Sequence, residues 1–202
     1  MPQEKRFLRA VYYRNSVTLN WRQFVSQMLS LKIEWNCSRK SKDKMSKTKQ
    51  ILGLVVSLGL VYSVAWLGSF FTNMSLSAWY PSLNKPTWTP SGATIALVWT
   101  ILYATMAIAA WTVWLNGGLI EQRRPLGIYA VQLFLNAGWS FLFFGLRSPG
   151  LAVVEIIFLW IAILVTLISF WRISLTAGVL MIPYLLWASI AAVLNFMVWR
   201  LN

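Results

Sequence analysis

The chain has 202 residues, of which 58% are hydrophobic, and its mean hydropathy of +0.60 excludes a disordered chain and disfavours an ordinary soluble domain. Its formal net charge is +13, and residues 1–50 contribute most of it, with 12 Lys and Arg against 3 acidic residues. The single cysteine excludes an intramolecular disulfide. The absence of histidine excludes an imidazole-bound zinc or haem and a Ser-His-Asp triad.

Residues 1–44 form a basic N-terminal extension that mixes aromatic residues with Arg, Lys and Ser and contains no long apolar run. Three interpretations stay open: an organelle transit peptide, a basic cytoplasmic arm, or a leader that is not translated because synthesis begins at Met45. Beside membrane spans, a basic tail contacts anionic headgroups more simply than nucleic acid. Nucleic acid is therefore not expected as a partner.

Five continuous apolar stretches follow, each about as long as a helix that crosses a bilayer, roughly 20 residues. The predicted spans are 51–71, 94–115, 126–146, 151–170 and 177–199. Each run is continuously apolar and does not alternate, so helices are predicted in preference to a β-barrel. Residues 45–202 are therefore predicted to form an all-α membrane domain, a five-transmembrane-helix bundle in a lipid bilayer.

The first connection, residues 72–93, is long and rich in turn-forming residues, whereas 116–125, 147–150 and 171–176 are short. Short connections require antiparallel neighbours. A long ordered connection in a compact bundle usually covers a site. We therefore expect residues 72–93 to contain a lid.

Basic residues predict the orientation, because they concentrate in cytoplasmic connections. An inside N-terminus places on the inside Lys47, Lys49, Arg123, Arg124 and Arg172, and on the outside Lys85, Arg147 and Arg200. The sequence therefore predicts an N-terminus inside and a C-terminus outside. The long connection and the C-terminus are expected on the same side.

Several short motifs occur in a characteristic order. They are WYPSLNKPTWTP at 79–90, VWTILY at 98–103, LNAGWS at 135–140, FFG at 143–145, PGLA at 149–152 and PYLLW at 183–187. Together they resemble the translocator protein family, also called tryptophan-rich sensory protein or peripheral-type benzodiazepine receptor, over about residues 50–202. The resemblance implies a five-helix bundle, often dimeric, that binds porphyrins such as protoporphyrin IX, and in animals cholesterol, beneath the first long loop.

On the second span, Trp99, Tyr103 and Met106 share one helical face. Aromatic rings that face a cavity can stack on a flat macrocycle, each stack adding roughly 0.5–1.5 kcal/mol beyond burial. Packing against another helix is the alternative. The resemblance favours Trp99 as a pocket wall, and Tyr103 is predicted beside it.

On the third span, a matching face carries Gln132, Asn136, Trp139 and Phe143. An amide in hydrocarbon is unfavourable without a partner, so Asn136 is expected to face the bundle interior. An interhelical hydrogen bond alone would explain Gln132. The resemblance implies ligand contacts for Asn136 and Trp139, and Phe143 is predicted with them.

On the fifth span, Trp187, Ala191 and Asn195 share a face. The resemblance implies that Trp187 lines the pocket, and Ala191, one turn later, is predicted to contact the ligand or to permit close helix packing. Phe196 stands where animal members carry the tyrosine of a cholesterol motif, which argues against sterol recognition by this segment.

Glu155, about one turn into the fourth span, is interpreted as a structural anchor. It would reach the interface, pair with Arg147, or donate while protonated. A proton relay is not supported, because the spans contain no second acid.

Six residues of the first loop are predicted to form the lid: Trp79, Tyr80, Lys85, Pro86, Trp88 and Pro90. The prolines stiffen the backbone, and the aromatic rings suit either a membrane interface or the cap of a pocket. Lys85 is expected either to meet a porphyrin propionate or to be solvated.

These observations predict a membrane protein that binds or senses porphyrins and other flat hydrophobic ligands, with a role in their transport or scavenging. Light-dependent porphyrin degradation by pocket tryptophans and sterol or tetrapyrrole transport are the alternatives. No catalytic residue, metal site or obligatory cofactor is predicted, and without histidine a metal-free porphyrin is the better ligand. A homodimer through Ala137 and Gly138 stays open.

Overall fold

The computed structural model describes residues 45–202, and the predicted N-terminal extension 1–44 lies outside the described residues. The helices are α1 (Lys47–Leu76), α2 (Trp79–Ser82), α3 (Gly92–Leu115), α4 (Gly118–Glu121), α5 (Arg123–Ser140), α6 (Pro149–Trp171) and α7 (Leu175–Leu201). A π-helical turn, Phe141–Gly145, extends α5. Within residues 45–202 there are 5 helices long and apolar enough to cross a membrane, which confirms the predicted five-helix fold.

Local sequence signals set the helix starts. The hydroxyl groups of Ser46, Ser91 and Ser174 each accept a hydrogen bond from a backbone N–H in the first turn of α1, α3 and α7. These bonds satisfy donors that would otherwise be unpaired. α6 begins at Pro149, where the missing N–H has no cost because a first-turn donor has no partner in the helix. Each long helix begins two to four residues before its predicted span, whereas the third ends, with its π-helical turn, at Gly145, one residue before the predicted end.

The five long helices form a ring in the order α1, α3, α7, α6, α5, and α5 closes it against α1. The fully buried side chains include Met106, Ile163, Phe170, Met181 and Tyr184. The outer faces are apolar as well, as Leu60, Trp66 and Phe134 illustrate, each well over half exposed. Apolar faces on the outside of a bundle are typical of helices solvated by lipid.

The long connection and the C-terminus meet at one end of the bundle. The backbone N–H of Asn84 donates to Asn202 Oδ1 (2.9 Å), and Asn202 Nδ2 donates to the carbonyl of Asn84 (3.0 Å). The two segments therefore share a side, as predicted. Which side of the membrane this is stays a prediction.

Candidate functional site

A cavity of about 600 Å³ lies inside the ring, at the end covered by the long connection. Its volume falls within the roughly 300–1,000 Å³ typical of small-molecule sites. The structure brings together at this cavity all seven residues predicted to bind a ligand: Trp99, Tyr103, Asn136, Trp139, Phe143, Trp187 and Ala191. Their contact with a ligand stays a prediction. They come from three helices, and the ring order places those helices around a common interior.

The aromatic stripe of α3 divides between the cavity and the core. The ring centroid of Trp99 lies 5.5 Å from that of Tyr103 and 6.0 Å from that of Tyr184 on α7. Trp99 and Tyr103 line the cavity, whereas Met106 is fully buried below it. The pocket-wall interpretation therefore describes Trp99 and Tyr103, and the helix-packing interpretation describes Met106, because α3 continues past the cavity into the packed core after Tyr103.

Asn136 is held by two tyrosines. The hydroxyl of Tyr103 donates to Asn136 Oδ1 (2.7 Å), and Asn136 Nδ2 donates to the hydroxyl of Tyr184 (3.0 Å). Gln132 Nε2 donates to the same hydroxyl (2.9 Å), which fits the interhelical bond considered for it. The amide of Asn136 keeps one N–H and one oxygen lone pair for a further partner. Its orientation is fixed by residues of α3 and α7.

Tyr184 is a residue of the site for which the sequence predicted no role. Its hydroxyl is fully buried in the α7 wall and accepts from two amides of α5. The available signal was a tyrosine hydroxyl within an apolar span, in a chain whose third span also carries two amides. A single sequence cannot show that the three polar groups lie at the same depth, because depth depends on how α5 and α7 pack.

Trp139 is fixed by a second polar contact. Its indole Nε1 donates to Asn195 Oδ1 (2.9 Å), and Asn195 Nδ2 donates to the carbonyl of Pro149 at the start of α6 (3.0 Å). The indole stacks on Phe143, with centroids 5.2 Å apart and an interplanar angle of 22°. Asn195 therefore positions Trp139, and the indole offers the cavity an apolar surface because its N–H already has a partner.

α1 also lines the cavity, through residues that the sequence did not single out. Tyr62, Trp66, Ser69 and Asn73 follow one another at helical spacing on the lining face. α1 is apolar on nearly all sides, so its inward face has no periodic signature. The polar residues Ser69 and Asn73 near the end of the span were the available signal.

The predicted lid residues fall in different places. Tyr80 and Pro90 line the cavity, and Trp79 packs its ring against Phe143, with centroids 5.6 Å apart. Pro86 and Trp88 do not line it, and Trp88 is exposed. Burial raises the pKa of the Tyr80 hydroxyl above its ordinary value, so this lid phenol is neutral near pH 7.

Lys85 is bound by the lid backbone. Its Nζ donates to the carbonyls of Tyr80 (2.7 Å), Leu83 (2.8 Å) and Pro81 (3.4 Å), and it lies 4.8 Å from the Tyr80 ring centroid. An ammonium has three protons, and each has an acceptor here. Lys85 therefore ties the short helix α2 to the following turn, a role that neither sequence interpretation included.

Glu155 lies outside the cavity lining. Among residues 45–202, neither buried carboxyl oxygen has a hydrogen-bond partner, and Oε1 lies near Gly138 of α5. The pairing with Arg147 considered from the sequence is therefore not formed, and the Arg147 Nε donates to Ser75 Oγ instead (3.3 Å). The same described residues contain no group of three or more acidic or cysteine side chains that could hold a metal ion.

Comparison with known proteins identifies relatives over most of the bundle. Residues 57–200 match the TspO/MBR family. The chain is 42% identical to the tryptophan-rich protein TspO of Chlorobaculum tepidum over 156 residues, which is 76% of this chain and 98% of that protein. It is 38% identical to the translocator protein of Sus scrofa over 142 residues, 67% of this chain and 84% of that protein. It is 35% identical to protein CrtK of Rhodobacter capsulatus over 152 residues, 73% and 94% of the two chains.

Proposed function

This chain belongs to the TspO/MBR family and is an integral membrane protein, and on that premise we propose that it binds a porphyrin, metal-free protoporphyrin IX being the best candidate, in the cavity beneath the long connection. The observation that carries the proposal is the cavity wall. Among the described residues, four tryptophans line it, and the oriented amide of Asn136 offers hydrogen bonds.

A flat apolar macrocycle matches this wall in shape and chemistry. Trp99 and Trp139 come from α3 and α5, and Trp187 comes from α7, so the rings surround the cavity. Offset or edge-on ring contacts contribute roughly 0.5–1.5 kcal/mol each beyond the burial of apolar surface. The fixed amide of Asn136 can pair with a pyrrole nitrogen or N–H. A chain without histidine offers a bound iron no imidazole, which favours the metal-free ring.

A titration in the dark tests the proposal. Protoporphyrin IX is added to the purified protein, and Soret absorbance and tryptophan quenching are followed. We expect saturable binding that is weakened about tenfold or more in Trp99→Ala, Asn136→Ala and Trp187→Ala, since each loses a wall or polar contact worth about 1.4 kcal/mol or more. Trp171→Ala is the matched control, because Trp171 is half-exposed and does not line the cavity. Three variants that bind like the unmodified chain would exclude this site.

Light-dependent oxidation of the bound porphyrin, with molecular oxygen as oxidant, is the second candidate. One observation favours it: Trp99 lines the cavity and its ring contacts the rings of Tyr103 and Tyr184, which could supply electrons to an oxidised indole. Illumination of the loaded protein tests it. A new absorbing product that disappears in Trp99→Phe supports the reaction, and an unchanged spectrum excludes it.

A further inference from the structure

α1 changes its packing partner along its length. Its first half is tied to α3 by hydrogen bonds. Trp111 Nε1 donates to the carbonyl of Gln50 (2.8 Å), and Ser57 Oγ donates to the carbonyl of Ala107 (2.7 Å). The last such tie is Tyr62, whose hydroxyl donates to the carbonyl of Thr100 (3.2 Å). In the described chain, no side-chain hydrogen bond joins α1 to α3 beyond Tyr62.

The second half of α1 packs against α5 and the π-helical turn. At Gly68 the helices approach so closely that a Cβ would lie 3.1 Å from Ser140 Oγ. The rings of Phe71 and Phe141 meet edge to face at 5.1 Å, and Ser75 Oγ donates to the carbonyl of Phe144 (2.6 Å). α1 therefore crosses from α3 to α5, and the two helices α1 and α3 separate toward the end with the long connection.

The cavity reaches the lipid-facing surface where α1 and α3 separate. Five of the exposed residues that line the cavity mark this place, which we call the lateral opening: Trp66, Ser69, Asn73, Ala96 and Thr100. Trp66 is 70% exposed although it lines the cavity. The two α3 residues of the lateral opening, Ala96 and Thr100, have small side chains, so they leave a gap that α1 does not cover.

The lid, by contrast, is fastened at several points. Lys85 bonds three carbonyls of residues 80–83. Asn202 holds the backbone N–H and carbonyl of Asn84, and the Tyr80 ring packs on Phe144 with centroids 5.6 Å apart. Passage beneath the lid would break these contacts together, whereas passage between α1 and α3 beyond Tyr62 breaks no side-chain hydrogen bond among residues 45–202.

We propose that the ligand enters and leaves the cavity sideways, from the bilayer leaflet next to the long connection, through the lateral opening between α1 and α3. The inference rests on the proposed porphyrin binding. A hydrophobic ring partitions into the acyl chains, and the polar side chains of Ser69 and Asn73 lie toward the headgroups, where its polar edge would be. The lid then closes the water side, and the protein exchanges ligand with the membrane.

The test places a plug in the lateral opening. In a Cys37→Ser background, Ala96→Cys is reacted with a bulky aromatic methanethiosulfonate, in lipid nanodiscs, either before or after loading with protoporphyrin IX. Leu97→Cys is the matched control, because Leu97 is 62% exposed on the same helix but does not line the cavity. Association is followed by tryptophan quenching, and dissociation by transfer of the porphyrin to excess aqueous albumin.

We expect the plug on Ala96→Cys to slow both association and dissociation about tenfold, while labelled Leu97→Cys exchanges like the unlabelled protein. We expect the lid variants Asn202→Ala and Lys85→Met to change both rates by less than about twofold. Slow dissociation after loading is decisive, since a label that merely displaced ligand from the cavity would accelerate release.

Three results would overturn the route. They are unchanged or faster release from labelled Ala96→Cys, an equal effect in labelled Leu97→Cys, and about tenfold faster exchange in either lid variant. The proposed function is judged separately by the unlabelled protein. If it shows no saturable binding, the porphyrin assignment fails and the route fails with it, whereas binding with rates that ignore the plug overturns the route alone.

Discussion

The two halves of the bundle contain similar apolar residues but pack them differently. In the half away from the long connection, Met106, Val113, Ile163 and Phe170 are wholly buried and the helices close on one another. In the half next to it, the indoles and amides stand around a cavity of about 600 Å³. The closely packed half stabilises the bundle. In the other half, large rings and fixed polar groups interrupt that packing and leave room for a ligand.

The largest effect on stability is expected from a substitution that creates a cavity in the closed half. Phe170→Ala removes a ring with no exposed surface, and we expect a loss of about 3 kcal/mol in unfolding free energy, because the neighbours cannot fill the space. Thermal unfolding in detergent measures it. Trp99→Ala at the cavity is the comparison, and we expect a smaller loss because part of that ring faces the cavity and makes fewer contacts with neighbouring side chains. Equal losses would contradict the division into two halves.

The next largest effect on stability is expected when an added side-chain atom overpacks the closed half. A Cβ on Gly53 would lie 2.3 Å from the ring of Trp114, whereas a Cβ on Gly59 meets no atom within 4 Å. We expect Gly53→Ala to destabilise the protein by about 1–3 kcal/mol through overpacking. Gly59→Ala on the same helix should stabilise it by roughly 0.5–1 kcal/mol through helix propensity. The same unfolding assay decides, and a stabilising Gly53→Ala would show that α1 and α3 are not in close contact there.

The hydrogen bonds of Tyr184 with Gln132 and Asn136 lie between the two halves, and the removal of one oxygen atom breaks them. Tyr184→Phe removes the acceptor of Gln132 and Asn136, and we expect a loss of about 1–3 kcal/mol from the amides left unpaired. Porphyrin affinity should fall as well, because Asn136 loses its orientation. Tyr129→Phe is the matched control, since the buried Tyr129 hydroxyl has no hydrogen-bond partner among residues 45–202. We expect that substitution to be neutral or stabilising.

The smallest effect concerns the lid at high pH. Burial raises the pKa of Tyr80 in the folded protein, so above the ordinary tyrosine value of about 10 the unfolded chain releases a proton that the folded chain retains. Stability therefore falls as the pH rises through this range, and no contribution from Tyr80 is lost below it. Comparison of alkaline unfolding curves for the unmodified chain and Tyr80→Phe measures this, and identical curves would contradict a buried lid phenol.

Much of the fold and part of the site could be predicted from the sequence. The five spans follow from the thickness of a bilayer, which requires about 20 apolar residues per helix. The inward position of Asn136 follows from the cost of an unpaired amide in hydrocarbon. The tyrosine partner on α7, the α1 wall and the tie of Lys85 to the lid backbone could not be found this way. Each depends on the relative depth of two helices, or on the path of an irregular loop, and neither leaves a periodic pattern.

The sequence by itself determined that the chain crosses a membrane as five helices, because hydrophobic length and backbone hydrogen bonding in lipid allow no other spanning structure for such runs. It also determined the family, through short motifs in a fixed order. Tertiary packing alone decided where the cavity opens. α1 is apolar on nearly all sides, so only its actual contacts, with α3 up to Tyr62 and with α5 from Gly68 onward, reveal the gap between α1 and α3.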